Sequence, residues 1–184
     1  MPWFCPPARG VLPLDRLHVS RSLARRLRRC GYCSTLDEAF EAVEGCREPR
    51  AGESGTWISV ELAAAYTRLH ALGHAHSLEV WAGDRLIGGI YGVQVGGVFC
   101  GESMFHRATD ASKFALADLV ARLREAGCGL LELQHLTPHL RSLGGIEIER
   151  ALYLGLLTEL RDDDVRLLCE RLPVSRLGAG AASA

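Results

Sequence analysis

The sequence predicts a mixed α/β (α+β) domain, with helices flanking a mostly antiparallel sheet. Three observations predict it. Short helical segments with capping signals occupy the first third of the chain. Residues 77–99 then alternate apolar and polar positions around tight turns. A long helical repeat over 109–126 leads into one further strand, 130–136. With 184 residues and roughly 150 per domain, the chain has the length of one domain. A domain of this size buries a core without a disulfide or metal staple.

Each element has its own signal. Pro2, Pro6, Pro7 and Pro13 predict that residues 1–15 run extended over the surface. Ser20 is placed to cap a helix over RSLARRLRR (21–29), with Leu23 and Leu27 on its buried face. Thr35 and Glu38 have the spacing of a capping box, opening a helix through Phe40, Val43 and Glu44. A polar stretch over 47–55 reads as a loop. Residues 60–72 read as a helix with Leu62, Ala65, Tyr66 and Leu69 inward and Gly73 as its stop.

Strands are expected at 77–81, 85–91 and 93–99, with a turn at 82–84 and a Gly96-Gly97 turn signal inside the third. Residues 101–105 end this meander. Thr109 or Asp110 is placed to cap the long helix, and 127–129 stop it. Residues 138–143 read as a short helix closed by Gly144 and Gly145. The remainder is expected to be helical, with 16–177 as the domain and 178–184 as a flexible tail. This order of elements is that of the N-acetyltransferase-like folds.

The charge sum is 21 basic against 22 acidic residues, a net of −1, which is not the balance of a bulk nucleic-acid binder. The distribution is more telling. Six Arg and no acid lie between Arg16 and Arg29, while acids gather at 37–53 and 162–164. A basic face of this kind can steer a polyanion. No apolar run reaches the ~18 residues of a membrane helix, and MPWFCPPARG is no secretory signal. The seven Cys are irregularly spaced, as expected of reduced thiols in a cytoplasm. The Cys30/Cys33 pair lacks the second pair that a zinc site needs, and no metal is expected.

Several clusters could carry chemistry. Gly101, Glu102, Ser103, Met104 and Phe105 put a carboxylate, a hydroxyl and two large apolar groups at a strand end. Either Glu102 orients or deprotonates an amine beside an apolar pocket, or this is a loop with a surface acid. Glu132 and Gln134 share one face of a strand whose other residues are Leu. The pair is either solvated or held in a site. His74 and His76 have ligand-like spacing but read better as structural hydrogen-bonding groups. Trp3 and Phe4 either plug a groove or line a pocket. The segment from Asp110 to Lys113 could hold a phosphate at a helix N-terminus. No nucleotide-binding glycine motif and no CoA pyrophosphate loop is present.

The longer motifs are specific. LDRLHVSRSL (14–23), ESGTWI (53–58), YTRLHALGHAHSLEVW (66–81), LIGGIYGV (86–93), FCGESMF (99–105), ASKFAL (111–116) and LELQ…SLGGIEI (131–148) occur in that order. Together they resemble the leucyl/phenylalanyl-tRNA–protein transferase family over about residues 3–155. The resemblance implies an acetyltransferase-like fold that takes aminoacyl-tRNA in place of acetyl-CoA and needs no cofactor. It implies a cytoplasmic aminoacyltransferase moving Leu or Phe, and Met less well, onto an N-terminal Arg or Lys of a protein, which marks that protein for degradation. It places Glu132 and Gln134 at the catalytic strand and Glu102 beside the aminoacyl group. It places Trp57, Ser103, Met104, Phe105 and Trp3 around the aminoacyl side chain. Arg21, Arg25, Arg28, Arg29 and Lys113 would meet the tRNA.

Two departures accompany the resemblance. The family usually has Asp where this chain has Glu132. Its members usually carry a further small N-terminal domain, and here Met1 falls just before Trp3 and Phe4. The second departure motivates another reading, in which the amino acid passes from tRNA to a small amine or peptide in secondary metabolism.

Overall fold

The alternating apolar residues of the middle of the chain do form strands, and they lie in one sheet. The computed structural model describes residues 6–44 and 60–180. In chain order the elements are β1 (Ala8–Leu12), α1 (Arg21–Arg29), β2 (Cys33–Leu36), α2 (Phe40–Glu44), α3 (Val60–Ala71), β3 (Ala75–Ala82), β4 (Arg85–Val95) and β5 (Val98–His106). Then follow α4 (Ala111–Ala126), β6 (Leu130–Gln134), α5 (Pro138–Ser142), β7 (Ile146–Glu149), α6 (Arg150–Leu160), β8 (Leu172–Pro173) and α7 (Leu177–Gly180).

The eight strands run in the order β7-β1-β6-β5-β4-β3-β2-β8. Every described pairing is antiparallel except β5–β6, which is parallel. That exception is the crossover through α4, since parallel neighbours need a long connection. The Gly96-Gly97 signal is the two-residue turn of the β4–β5 hairpin, with Gly96 at φ 55°.

Side chains alternate between two faces of the sheet. Leu12, Leu78, Val80, Phe99, Leu131 and Leu133 join α1 and α4 in the main core, through Leu23, Leu27, Phe114, Leu119 and Leu123. The intervening positions serve two smaller clusters. One packs Phe40, Val43 and Tyr66 of α2 and α3 against Leu86 and Tyr91. The other packs Tyr153 of α6 against Val11, Val98 and Leu130. The strand ends around Cys100 and Glu132 lie between these two helical covers.

Ser20 caps α1 as expected, accepting from the Leu23 amide at 3.3 Å. Thr137 caps α5 in the same way. Asp110 precedes α4 but makes no capping bond; its φ is 65° and its carboxylate is turned to two cations, described below.

Several sequence expectations need correction. The strand expected at 93–99 is divided, with 93–95 ending β4 and 98–99 opening β5 on either side of the Gly96-Gly97 turn. Residues 8–12 are extended, but they form β1, paired on one side with β6 and on the other with β7, rather than running over the surface. The prolines around them leave five positions free to pair. Thr35 does not open a capping box. It lies in β2, where its hydroxyl donates to Glu79 at 2.5 Å and accepts from the Trp81 indole at 2.8 Å. Pairing with β3 outweighs the local cap. The C-terminal part is not all helical: Ile146–Glu149 is a strand, and the stretch after α6 is irregular until residue 172. Arg122 inside α4 accounts for part of that path, donating to the carbonyls of Leu168 and Glu170. Within α3, Ala65 is exposed and Ala63 packs inward instead. The expected tail begins inside α7, and residues 181–184 lie outside the described part.

Candidate active site

The parallel ladder between β5 and β6 is short. It pairs Val98 with Leu130, Phe99 with Leu131 and Cys100 with Glu132, and stops there. β5 continues to His106 on its other partner, β4. β6 ends at Gln134, whose φ is 61°. A left-handed conformation costs a residue other than glycine about 1 kcal/mol, so something must hold it. The holder is Glu132, whose carboxylate accepts from the Gln134 amide at 2.7 Å. β1 lies close against the turn that follows. A Cβ on Gly10 would sit 2.9 Å from the Leu136 nitrogen, so only glycine permits that approach.

Glu102 faces this turn from β5. The strand has a bulge there: Tyr91 pairs with Ser103 and Gly92 with Gly101, leaving Glu102 as the extra residue. Its carboxylate accepts from Gln134 Nε2 at 2.7 Å and from the Tyr66 hydroxyl of α3. Beyond the bulge, adjacent residues alternate between the two faces of the sheet. Met104 packs against the main core, while Phe105 packs with the α2–α3 cluster. The two apolar candidates therefore serve different clusters, and Ser103, just before them, is half-buried. Trp3 and Trp57 lie outside the described residues.

Glu132 is 1% exposed and would not ionise easily alone. Arg9 of β1 pairs with it at 2.9 Å and packs over the Tyr153 ring at 5.0 Å. Burial raises the pKa of Glu132, and Arg9 and the Gln134 amide oppose that rise. Glu102 is likewise raised by burial, against the bonds from Tyr66 and Gln134 and the charge of Arg9. The Cys100 thiol is pushed up to about 11, by burial and then by Glu132. Arg9 and Tyr66 are site residues that the sequence motifs do not single out. Period-2 counting back along an extended segment could suggest Arg9, but only if that segment were known to be a strand.

The basic candidates sit on a neighbouring surface. Arg21, Arg25, Arg28 and Arg29 are all exposed on α1. Arg28 also donates to the Gly178 carbonyl at 3.2 Å. The Arg that ties this helix to α4 is Arg26, which pairs with Asp110 at 2.8 Å. Lys113 pairs with the same carboxylate at 3.0 Å. Beside them is an open cavity of about 650 Å³, lined in part by His106, Thr109, Ser112, Lys113 and His139. The cavity lies at the N-terminal end of α4. Of the pair His74 and His76, only His76 makes a described side-chain bond, to Asp37 at 2.7 Å, with His70 3.7 Å from the same carboxylate; His74 is exposed and is held through its backbone.

The arrangement can orient an amine and an ester without supplying a nucleophile of its own. Gln134 is held at its amide nitrogen by Glu132 and at its side-chain NH2 by Glu102, which leaves its side-chain carbonyl as an acceptor.

Comparison with known proteins places the chain in a family. A sequence model of the leucyl/phenylalanyl-tRNA protein transferases matches residues 11–158. A leucyl/phenylalanyl-tRNA–protein transferase of Shewanella pealeana is 51% identical over 166 residues, covering 90% of this chain and 70% of the relative. One of Ruegeria pomeroyi is 57% identical over 152 residues, covering 82% and 70%. Among solved structures, L-PGS from Bacillus licheniformis is similar in fold, with a TM-score of 0.53 at 11% identity over 84% of this chain and 65% of that one. The sequence match spans the strands that carry Glu102, Glu132 and Gln134, and this chain belongs to the leucyl/phenylalanyl-tRNA–protein transferase family.

Proposed function

We propose that this protein moves Leu or Phe from its tRNA onto the N-terminal Arg or Lys of an acceptor protein. The observation that carries the reading is the double hold on Gln134. A glutamine fixed at its backbone nitrogen and at Nε2 presents its Oε1 in one place, where it can accept a hydrogen bond from an attacking α-amine. The reaction is aminolysis of an ester. A C–N bond forms at the aminoacyl carbonyl, the ester C–O bond breaks, and the amine's surplus proton ends on the released 3′ oxygen of the tRNA. The ester is already activated, so positioning and charge stabilisation supply most of the rate. An α-amine with pKa near 7.7–8.0 is partly neutral at pH 7, so a hydrogen-bond acceptor suffices and no cofactor is required.

The carboxylates have separate tasks in this reading. Glu132 keeps Gln134 in its turn and favours positive charge building on the attacking nitrogen. Glu102 fixes the Gln134 amide and, in this reading, stands beside the aminoacyl group. Phe105, Ser103, Trp57 and Trp3 would surround the apolar side chain, with Met104 backing the strand from its other face; a methylene there discriminates by only ~1–3 kcal/mol. Arg21, Arg25, Arg28, Arg29 and Lys113, joined by Arg26, would take tRNA phosphates around the end of α4 without reading bases. Charged tRNA is a cytoplasmic substrate, which supports a cytoplasmic location. Met is a poorer third amino acid in this reading.

Relatives named as protein transferases at about half identity favour a protein acceptor over a small amine. The deciding experiment offers purified protein, tRNA charged with labelled Leu or Phe, and two acceptors: a protein with N-terminal Arg and a set of small amines. Label on the protein N-terminus is the expected result. Label on small amines alone would overturn the assignment of the acceptor.

A further inference from the structure

Arg9 is the cation closest to the chemistry, yet it touches neither Gln134 nor, by any described contact, Glu102. Its guanidinium is lodged between the Tyr153 ring and the Glu132 carboxylate. Its Nε is buried with no hydrogen-bond partner among the described residues, so Nη2 carries its ion pair. The Glu132 oxygen that it grips, Oε1, is the same oxygen that accepts from the Gln134 amide. β1 and β6 are neighbouring strands, with Val11 opposite Glu132 and Gly10 opposite Gln134. The chain of contacts is therefore continuous: Arg9 to Glu132, Glu132 to the backbone of Gln134, and the side chain of Gln134 to Glu102.

We propose that Arg9 is a positioning residue for the transfer, holding the Glu132 carboxylate in the place from which it fixes the left-handed turn at Gln134. The proposal rests on the transferase reading of the site and extends it to a residue on another strand. Without the guanidinium, a carboxyl this deeply buried takes up a proton at a higher pH and loses its anchor. The turn at Gln134 then relaxes toward ordinary extended backbone, and Oε1 no longer stays in one place. The charge is shared, because Arg9 also opposes the rise at Glu102. The groups facing Glu132 are Arg9 from β1, Glu102 and Cys100 from β5, and Tyr153 from α6. The thiol and the phenol are both pushed upward by burial and stay neutral near pH 7. The pH response of this cluster therefore belongs to its two carboxylates.

The test compares the parent chain with Arg9→Met and Arg9→Lys. Three quantities are read: hydrogen exchange of the Gln134 amide by NMR, kcat and KM for charged tRNA, and the acid limb of kcat/KM. The expected results for Arg9→Met are at least tenfold faster exchange at Gln134, with amides of β4 still protected, and a kcat lowered at least tenfold with KM within twofold. The acid limb should move to higher pH, and Arg9→Lys should bring it back. A purely structural role would lower the folded fraction without moving that limb. If Arg9→Met does not fold, Arg9→Gln, which removes the charge and keeps a polar donor on a shorter side chain, is read in its place. Exchange and kcat at the parent values in either variant overturn the proposal while the transferase reading stands. A parent chain that transfers nothing overturns that reading, and the role of Arg9 with it.

Discussion

Gln134 Nε2 lies 2.7 Å from Glu102 Oε2, a bond between the end of β6 and the bulge of β5, just past the point where the two strands stop pairing. It closes the mouth of the split with two polar side chains rather than with backbone. The bond settles which way round the Gln134 amide points, since only its nitrogen can donate to a carboxylate. Everything asked of Gln134 as an acceptor depends on that orientation.

Glu102→Gln tests this orientation. The substitution keeps the size of the side chain but offers one acceptor where there were two, with Tyr66 and Gln134 both donating. Single-turnover transfer should slow by roughly 10- to 100-fold, the order expected when a positioned group loses its hold. Affinity for charged tRNA should stay within twofold. A rate equal to the parent's would show that the bond has no part in catalysis.

The acid limb of the activity profile follows from burial. Glu102 and Glu132 are both shifted above the ordinary carboxylate value of 4.5. Both act as anions in this mechanism, so activity is full above their shifted values and falls as pH drops through them. Profiles of kcat/KM should show this loss above pH 4.5, while circular dichroism still reports a folded chain. A profile that falls only with the titration of the α-amine, at about 7.7–8.0, with no further loss above pH 4.5, would contradict the roles given to both groups.

The basic face of α1 makes a prediction about salt. Arg21 and Arg25 are exposed and have no ion pair among the described residues. If each meets a phosphate, Arg21→Glu with Arg25→Glu should weaken tRNA binding. The slope of log affinity against log salt should flatten by ~0.7–0.9 for each phosphate that is no longer neutralised. Filter binding across a salt series measures this. An unchanged slope would remove these residues from the tRNA surface.

Stability should depend on Asp118, far from the site. It is fully buried and pairs with Arg122 at 2.8 Å and Arg176 at 2.6 Å, while Ser34 donates to it at 2.5 Å. Burial alone would push its pKa up, but the bonds from Arg176 and Ser34 and the two positive charges hold it below 3.8. The folded value is depressed, so its contribution is present above pH 3.8 and is lost as pH falls through the folded value. Asp118→Ala leaves Arg122 buried without its charge partner and should cost roughly 3–5 kcal/mol. Urea denaturation at pH 7 measures it, and a loss under 1 kcal/mol would contradict the picture.

Much of this fold is legible in the sequence, and the rest is hidden for identifiable reasons. Ser20 before an apolar-periodic run is a local signal, and the cap forms. The period-2 placement of Glu132 and Gln134 away from Leu131 and Leu133 also holds, because alternation is a property of the strand itself. Thr35 misleads because a capping box and a strand residue look alike until the partner strand is known. β1 is hidden for a related reason. Its five residues sit among prolines, and its pairing partners lie more than a hundred residues away. Arg9 is hidden with it. The bulge at Glu102 leaves no mark in the sequence, whereas the separation of Met104 and Phe105 into different clusters is the alternation of adjacent strand residues.

The most direct test of the mechanism is the single-turnover transfer of Phe from tRNA to an acceptor with N-terminal Arg, comparing the parent chain with Gln134→Ala. The mechanism predicts a rate lowered by about 10²-fold or more, with affinity for charged tRNA within twofold of the parent. A Gln134→Ala chain that transfers at the parent rate would contradict it.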